Sequence, residues 1–257
     1  MRAAVLLVAA LLASACTRPK KPQIECKRPM QITAEVGGIW WFGEMHGTQE
    51  SPAFVGDVAC AVAQADHHVQ VGLEIWASEQ AAIDRYLETG DRAPLLAGPF
   101  WAHHDGRSSV AMVDLIDRVR WLRKAGAKVD IVAYDITDKP DRDEAMAIKV
   151  LASRDAKGVF VGLSGNIHSR KKQWNEVKPL VSHLVDAKLN VRTHDVSAAG
   201  GTMWACMATD DHEPVCGEHP MSKDEKSGTP WTLGPARDDS HDAVYYVGET
   251  KASPPAR

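Results

Sequence analysis

Two short motifs of the form Gly-x-x-His contain the residue types best suited to chemistry in this chain. The first contains Glu44 and His46, and the second contains Asn166 and His168. Each motif begins directly after, or at the end of, a run of apolar residues. An imidazole that titrates near neutral pH can give or take a proton, and a neighbouring carboxylate can orient it. The repeated pattern therefore predicts a site for acid–base chemistry or for metal binding.

Other charged residues lie close to the ends of further apolar runs. Glu74 lies within the second run and Asp135 directly follows the third. A carboxylate inside an apolar strand is costly to bury unless it is paired, so Glu74 is predicted to face a ligand or a basic partner. Arg142 is predicted either to pair with Asp135 or Glu74 or to hold a substrate anion. Arg107, in a loop rich in aromatic residues and histidines, is predicted to contact substrate.

The segments between these residues predict an α/β fold with a mostly parallel central sheet and helices on both faces. Consecutive large apolar residues, as at 39–42, are typical of strands that are covered on both faces. Residues 53–66 and 108–124 have the apolar spacing of helices that pack on such a sheet. Ligands of these sheets bind outside the carboxyl ends of the strands. We therefore expect the residues of the two motifs, with Glu74 and Asp135, to meet at that edge.

The first residues of the chain have the features of a bacterial secretory signal. Residues 1–15 contain a positive start, an apolar segment and small residues before Cys16, and they are too short to span a bilayer. Cys16 is predicted to be lipidated, with residues 16–35 as a lipidated terminus and tether; simple secretion is the alternative. The expected location is the bacterial cell envelope, at the outer membrane or periplasmic face, with membrane contact through the lipid anchor.

The rest of the chain predicts one large domain. The chain has 257 residues and a formal net charge of −4, and its charges show no basic footprint for nucleic acid. We assign residues 36–250 to a single α/β domain and residues 251–257 to a flexible tail. Residues 198–242 form a glycine-rich excursion whose structure the sequence does not predict.

Cysteine usage agrees with export. Apart from Cys16, four cysteines remain, an even number in a compartment that permits disulfides. We predict one disulfide between Cys206 and Cys216 across a polar loop. The other is predicted between Cys26 and Cys60, out of three possible connectivities. No Cys-x-x-Cys spacing supports a cysteine metal site.

Two mechanisms are compatible with the predicted site. The first mechanism uses a catalytic Zn, Mn, Co or Fe(II) ion, whose ligands would be His46, His168 and one glutamate, assigned here to Glu74. The other glutamate would then act as general base. In the second mechanism a histidine oriented by a carboxylate deprotonates water directly. The other histidine or Arg142 then stabilises the oxyanion. The residues alone leave both mechanisms open.

Four stretches together resemble a superfamily that joins erythromycin esterases, TIKI/TraB proteins and ChaN-type haem-binding lipoproteins. These stretches are residues 43–48, Glu74, residues 142–146 and residues 165–168. The resemblance extends over residues 39–170, and the ChaN-like branch is the most similar in length, signal and Arg-x-x-x-Met turn. It implies an α/β fold with a site at the paired Gly-x-x-His motifs.

The resemblance also implies roles for four residues only, Glu44, His46, Glu74 and His168. TIKI relatives are metal-dependent proteases, whereas erythromycin esterases are hydrolases that use the first-motif histidine as base. We therefore predict a hydrolase of an ester or amide, with a small-molecule or peptide substrate. One alternative is a ChaN-like carrier of haem or iron without catalysis, although no tyrosine matches a haem ligand here. The other is a non-catalytic envelope protein.

Overall fold

The computed structural model describes residues 24–28, 35–209, 212–222 and 228–257. The predicted signal peptide, Cys16 and most of the predicted tether lie outside these residues. Within the described ranges, every helix lacks the combination of length and apolar character that a bilayer crossing requires.

One sheet with helices on its two faces forms the domain. The strands are β1 (Ile39–Glu44), β2 (Val69–Trp76), β3 (Val129–Asp135), β4 (Val159–Gly165), β5 (Val191–Thr209), β6 (His212–Pro220), β7 (Thr232–Pro235) and β8 (Ala243–Thr250). The helices are α1 (Glu50–Gln64), α2 (Gln80–Thr89), α3 (Arg92–Leu96), α4 (Val110–Lys124), α5 (Arg142–Ser153) and α6 (Leu180–Asp186). Short 3₁₀ turns occur at Ala77–Glu79 and Pro99–Ala102.

The sheet is mostly parallel, which confirms the predicted fold class. Its strand order is β3-β2-β4-β1-β5-β8-β7, and β6 pairs with β5 outside this path. All pairs along the path are parallel except β7 with β8. The register places Glu44 of β1 beside Gly165 of β4, and Trp76 of β2 beside Asp135 of β3. The carboxyl ends of β3, β2, β4 and β1 therefore lie side by side at one edge.

Strand β1 shows why both faces of the sheet carry helices. Trp40 and Phe42 pack in the core formed with α1, α2 and α4, whereas Ile39 and Trp41 pack in the core formed with α5 and α6. Successive side chains of a strand point to opposite faces, so a run of large apolar residues requires cover on both. The Trp41 indole, which is fully buried, also donates a hydrogen bond to Ser164 Oγ at 2.8 Å.

Both predicted disulfides are present. One joins Cys26 to Cys60 of α1, and the other joins Cys206 of β5 to Cys216 of β6, which are paired neighbours in the sheet. Disulfides persist in oxidising compartments, so the pairing agrees with an exported protein.

The C-terminal half contains a long strand that enters the glycine-rich excursion. β5 continues to Thr209 through Gly200 and Gly201, which both have positive φ. The excursion at 198–242 is therefore partly sheet and contains β6 and β7.

Residues 251–257, predicted to form a flexible tail, make hydrogen bonds and β-bridges to other segments over most of their length. Ser253 is buried, and its backbone N–H donates a hydrogen bond to Gly47 O at 2.8 Å. Isolated β-bridges join Ala252 to Thr48 and Pro255 to Ser109. The backbone groups of this segment are hydrogen-bonded to the backbone of two loops. Side-chain patterns in a sequence do not reveal such pairing.

A glycine on β4 gives a test of the packing around Trp41. A Cβ at Gly162 would lie 2.5 Å from Cε3 of the Trp41 ring, whereas a Cβ at Gly217 would meet nothing within 4 Å. We expect Gly162→Ala to lower the free energy of unfolding by ~1–3 kcal/mol, because a packed ring must shift. The matched control Gly217→Ala is expected to change it by less than ~0.5 kcal/mol. Urea denaturation measures both, and equal effects would contradict this account of the core.

Candidate active site

Glu74 lies at the centre of the charged cluster on the predicted sheet edge. Its side chain is only 4 % exposed. Oε1 accepts a hydrogen bond from Arg142 Nη2 at 2.6 Å, and Oε2 accepts one from the Gly165 backbone N–H at 2.8 Å. Burial alone would raise the pKa of Glu74, but the positive charges of His46 and Arg142 hold it well below the usual value. Glu74 is therefore a buried, ionised carboxylate.

His46 lies between two carboxylates. Its Nδ1 is 3.1 Å from Glu44 Oε1, and its Nε2 is 3.4 Å from Glu74 Oε2. Burial alone would lower the pKa of His46, but Glu74 and then Glu44 raise it to about 10. The side chain is 22 % exposed, so part of the imidazole remains accessible to a ligand. Burial also raises the pKa of Glu44, against the lowering effect of His46.

Arg107 and Arg142 enter the site from different elements and share Asp135. Asp135 Oδ1 accepts a hydrogen bond from Arg142 Nε at 2.8 Å, and its Oδ2 accepts one from Arg107 Nη1 at 3.0 Å. Arg107 also reaches Glu74 Oε1 at 3.6 Å. The structure thus places both arginines in ion pairs, including the pairs of Arg142 with Asp135 and Glu74 that the sequence suggested.

His168 holds Arg142 from the other side. Its Nε2 is 3.1 Å from Arg142 Nη1, and its Nδ1 is 2.7 Å from Asp143 Oδ1. A guanidinium only donates hydrogen bonds, so Nε2 is the acceptor and the Nδ1–H group donates to Asp143. This arrangement assigns His168 the tautomer with hydrogen on Nδ1, and the Nε2 lone pair accepts a hydrogen bond from Arg142.

Two carboxylates of the site were not predicted. Asp143 orients His168, and Asp105 accepts hydrogen bonds from Arg107 Nε at 3.0 Å and Nη2 at 2.6 Å. Both stand within two residues of an arginine that was predicted, and that proximity is the sequence signal that could have identified them.

The glycines of the two motifs make room for other site residues. A Cβ at Gly165 would lie 3.0 Å from His46 Nε2, so this glycine permits the imidazole to approach the strand. A Cβ at Gly43 would lie 2.0 Å from Ser169 Oγ, so Gly43 accommodates the Ser169 side chain. Asn166 joins the site through its backbone, where its N–H donates to Glu44 O at 2.9 Å.

His68 lies at the opposite end of the sheet, just before β2 begins. Its two ring nitrogens are each 2.8 Å from a carboxylate oxygen, one of Asp130 and one of Asp155. This histidine is therefore remote from the site and serves as a control position below.

The described residues fit the predicted metal ion poorly. Nε2 of His168, which was to be a ligand, already accepts from the Arg142 guanidinium, and Glu74 contacts the guanidinium groups of Arg107 and Arg142. A divalent cation in this position would lie against two fixed positive charges. Among the described residues, no group of three or more His, Cys, Asp or Glu side chains is arranged to hold a metal. We therefore derive no step through a metal.

Haem fits the site no better. It requires an axial ligand with a free lone pair and a wide apolar wall. The two site histidines instead face Glu44, Glu74, Asp143 and Arg142, all charged groups. We derive no step through haem either.

Comparison with known proteins identifies the fold. No protein-family model matches the chain, and no curated protein matches it. Among solved structures it resembles a Bacillus cereus protein, with a TM-score of 0.63, 13 % identity, and coverage of 85 % of this chain and 90 % of that chain. It also resembles a succinoglycan biosynthesis protein, with a TM-score of 0.58, 9 % identity, and coverage of 85 % and 89 %.

A third similar structure is a mutant of the erythromycin esterase EreC in its open conformation. The TM-score is 0.55 at 14 % identity, over 84 % of this chain and 91 % of that chain. At such identities the likeness establishes a shared α/β fold and leaves the activity to be argued from the site.

Replacing Glu74 tests the electrostatic account of His46. In Glu74→Gln the principal negative charge beside the imidazole is lost, so we expect the pKa of His46 to fall from about 10 toward 6.5. The matched control is Glu79→Gln, which changes another buried glutamate, hydrogen-bonded to the Phe100 backbone N–H. NMR titration of the His46 ring measures both variants. An unchanged His46 pKa in Glu74→Gln would show that Glu74 does not set it.

The same variant makes a prediction about stability. A histidine whose folded pKa is raised stabilises the protein fully below its unfolded pKa of about 6.5, and this contribution is lost as the pH rises through about 10. The free energy of unfolding of the native protein should therefore fall between pH 7 and pH 10 more than that of Glu74→Gln.

Proposed function

We propose that this protein is an exported hydrolase of an ester or amide that uses His46 as its proton-transfer group. The observation that carries the proposal is the position of His46 at the carboxyl end of a parallel sheet. Glu44 orients its imidazole, which faces Glu74 and remains partly exposed. Perturbed ionisable groups gathered at such an edge are typical of catalytic sites. A small molecule or a peptide is the expected substrate.

The chemistry begins when neutral His46 takes a proton from water through Nε2. The water oxygen forms a bond to the substrate carbonyl carbon, and the carbonyl π electrons move to its oxygen. When the tetrahedral intermediate collapses, the bond to the leaving alcohol or amine breaks, and His46 returns the proton to that group. Glu44 accepts the hydrogen bond from Nδ1–H throughout, which leaves Nε2, on the side of Glu74, as the proton acceptor.

Arg142 is suited to stabilise the oxyanion. A guanidinium has five N–H groups, and the described contacts of Arg142 use one each at Nε, Nη1 and Nη2. The remaining N–H groups lie on Nη1 and Nη2. Asp135, Glu74 and His168 hold this cation in one orientation before substrate binds, and fixed donors of this kind stabilise developing charge well. In this scheme His168 is a positioning residue for Arg142.

We also propose that the protein is anchored by lipid at the bacterial cell envelope. The signal-like residues 1–15 and the following Cys16 support lipid anchoring at the cell envelope, and the two disulfides support an oxidising compartment.

The direct test compares His46→Ala with His68→Ala on a panel of esters and peptides. We expect His46→Ala to lower kcat/KM by a factor of ~100 or more, the scale of general-base catalysis, while circular dichroism shows a folded protein. His68→Ala changes a carboxylate-paired histidine at the other end of the sheet and should keep its activity. Full activity in His46→Ala would overturn the proposal.

The pH dependence gives a second test. Only neutral His46 accepts a proton, so kcat/KM should rise about tenfold per pH unit toward a plateau near pH 10. A substrate that separates His46 from Glu74 lowers the His46 pKa, so the kcat profile should reach its plateau at a lower pH. A kcat/KM profile that reaches its plateau near pH 6.5 would contradict the role of the two glutamates.

Elemental analysis distinguishes this proposal from the metal-dependent alternative. We expect the purified protein to contain no stoichiometric transition metal and to remain active after chelation, because Arg107 and Arg142 oppose a cation at this position. A stoichiometric metal that is lost in the double variant His46→Ala, His168→Ala would favour the metallohydrolase. A Soret band on haem titration, lost in the same variant, would favour the haem carrier.

A further inference from the structure

Two loops that are distant in sequence bring His46 and Arg107 to the site. The first loop follows β1 and contains His46 and Gly47, and the second precedes α4 and contains Arg107. The only partner of Arg107 within its own loop, among the described contacts, is Asp105. Its contacts with Asp135 and Glu74 therefore depend on where the loop lies.

The turn after His46 is held by two remote segments at once. Gly47 O accepts hydrogen bonds from Trp204 N at 2.9 Å and from Ser253 N at 2.8 Å. Gly47 has a φ of +80°, and a Cβ there would lie 2.0 Å from Trp204 O. Only glycine fits this junction without displacing the β5 backbone.

The chain near its C-terminus also holds the Arg107 loop. The Ala256 N–H donates to Ser108 O at 2.9 Å, and the Val110 N–H donates to Pro254 O at 2.9 Å. Ser253 Oγ accepts from the Ala111 N–H at 2.9 Å, in the first turn of α4. Residues 252–256, called here the C-terminal strap, thus contact both loops through successive residues.

Trp204 strengthens the same junction from β5. Its indole Nε1–H donates to His104 O at 3.0 Å. Its carbonyl oxygen lies 2.7 Å from where a Cβ of Gly106 would be, and Gly106 has a φ of +92°. The backbone on either side of Asp105 is therefore in contact with β5.

We propose that the C-terminal strap, with Trp204, positions Arg107 against Asp135 and Glu74 by fixing its loop relative to the His46 turn. The proposal rests on the proposed function for its catalytic meaning, since a displaced Arg107 changes the charge around Glu74. The strap bonds to Gly47, Ser108 and Val110 join backbone atoms, and Ser253 is buried. The loop geometry is therefore determined by hydrogen bonds that depend on no substrate.

The test compares the full-length protein with two shortened chains. One lacks residues 252–257 and loses the strap, and the other lacks only Arg257, whose described side-chain contact is a hydrogen bond to Leu96 O. NMR of the guanidinium N–H groups reports on Arg107, with Arg154 as an internal control because its guanidinium donates to Gly37 O at the other end of the sheet. Hydrogen exchange reports the backbone of both loops.

Loss of the strap should broaden or shift the Arg107 guanidinium signals, leave those of Arg154 in place, and speed amide exchange at residues 103–111 by about tenfold or more. Removal of Arg257 alone should leave all of these unchanged. Native Arg107 signals in the strapless chain would overturn the proposal, even if exchange became faster, because the strap would then add stability without positioning.

A second variant covers the case in which the strapless chain does not fold. Trp204→Phe keeps a six-membered aromatic ring and the backbone bond to Gly47, and it removes the donor to His104 together with the five-membered ring. We expect a smaller change of the Arg107 signals in the same direction, and unchanged signals would overturn the role of Trp204. These readouts need no substrate, so their failure is distinct from failure of the hydrolase proposal, which His46→Ala decides.

Discussion

The burial of one ionised carboxylate, Glu74, constrains the rest of the site. A charge in a nearly closed position is costly unless hydrogen bonds and opposite charges compensate it. Here Arg142, Arg107, His46 and the Gly165 backbone N–H supply that compensation from four different parts of the chain. Each of these side chains also has partners of its own, such as Asp135 and Glu44. The stabilisation of one anion therefore involves a network of charged groups along the sheet edge.

The consequence for chemistry is that the site is electrostatically prepared before any ligand arrives. The carboxylates keep a proton on His46 and keep Arg142 in one orientation. A ligand that enters must displace some of these hydrogen bonds and ion pairs. When His46 loses its contact with a carboxylate, its pKa falls. Such sites gain catalytic power from fixed dipoles and charges, at the expense of local stability.

The shared fold adds a framework and leaves the chemistry to particular residues. Folds of this kind support many activities because the strand ends are rigid and the loops beyond them vary. In this chain β5, through Trp204, and the C-terminal strap both contact the loops of the site.

Much of the architecture could be predicted from the sequence because local rules act strongly there. Apolar runs predicted β1 to β4, and their carboxyl ends placed Glu44, Glu74 and Asp135 at one edge of a parallel sheet. Cysteine parity and loop position predicted both disulfides. These inferences need only side-chain periodicity and the general geometry of parallel sheets.

Only the tertiary structure decided how the polar groups pair. Asp143 and Asp105 became site residues, Gly43 proved to accommodate Ser169, and the expected free tail proved to be bonded to two loops. A sequence shows which side chains carry charge, but pairing depends on distances of a few ångströms between segments far apart in the chain. Backbone hydrogen bonds such as those of the strap carry no side-chain pattern at all, so they become visible only when the folded chain brings their donors and acceptors together.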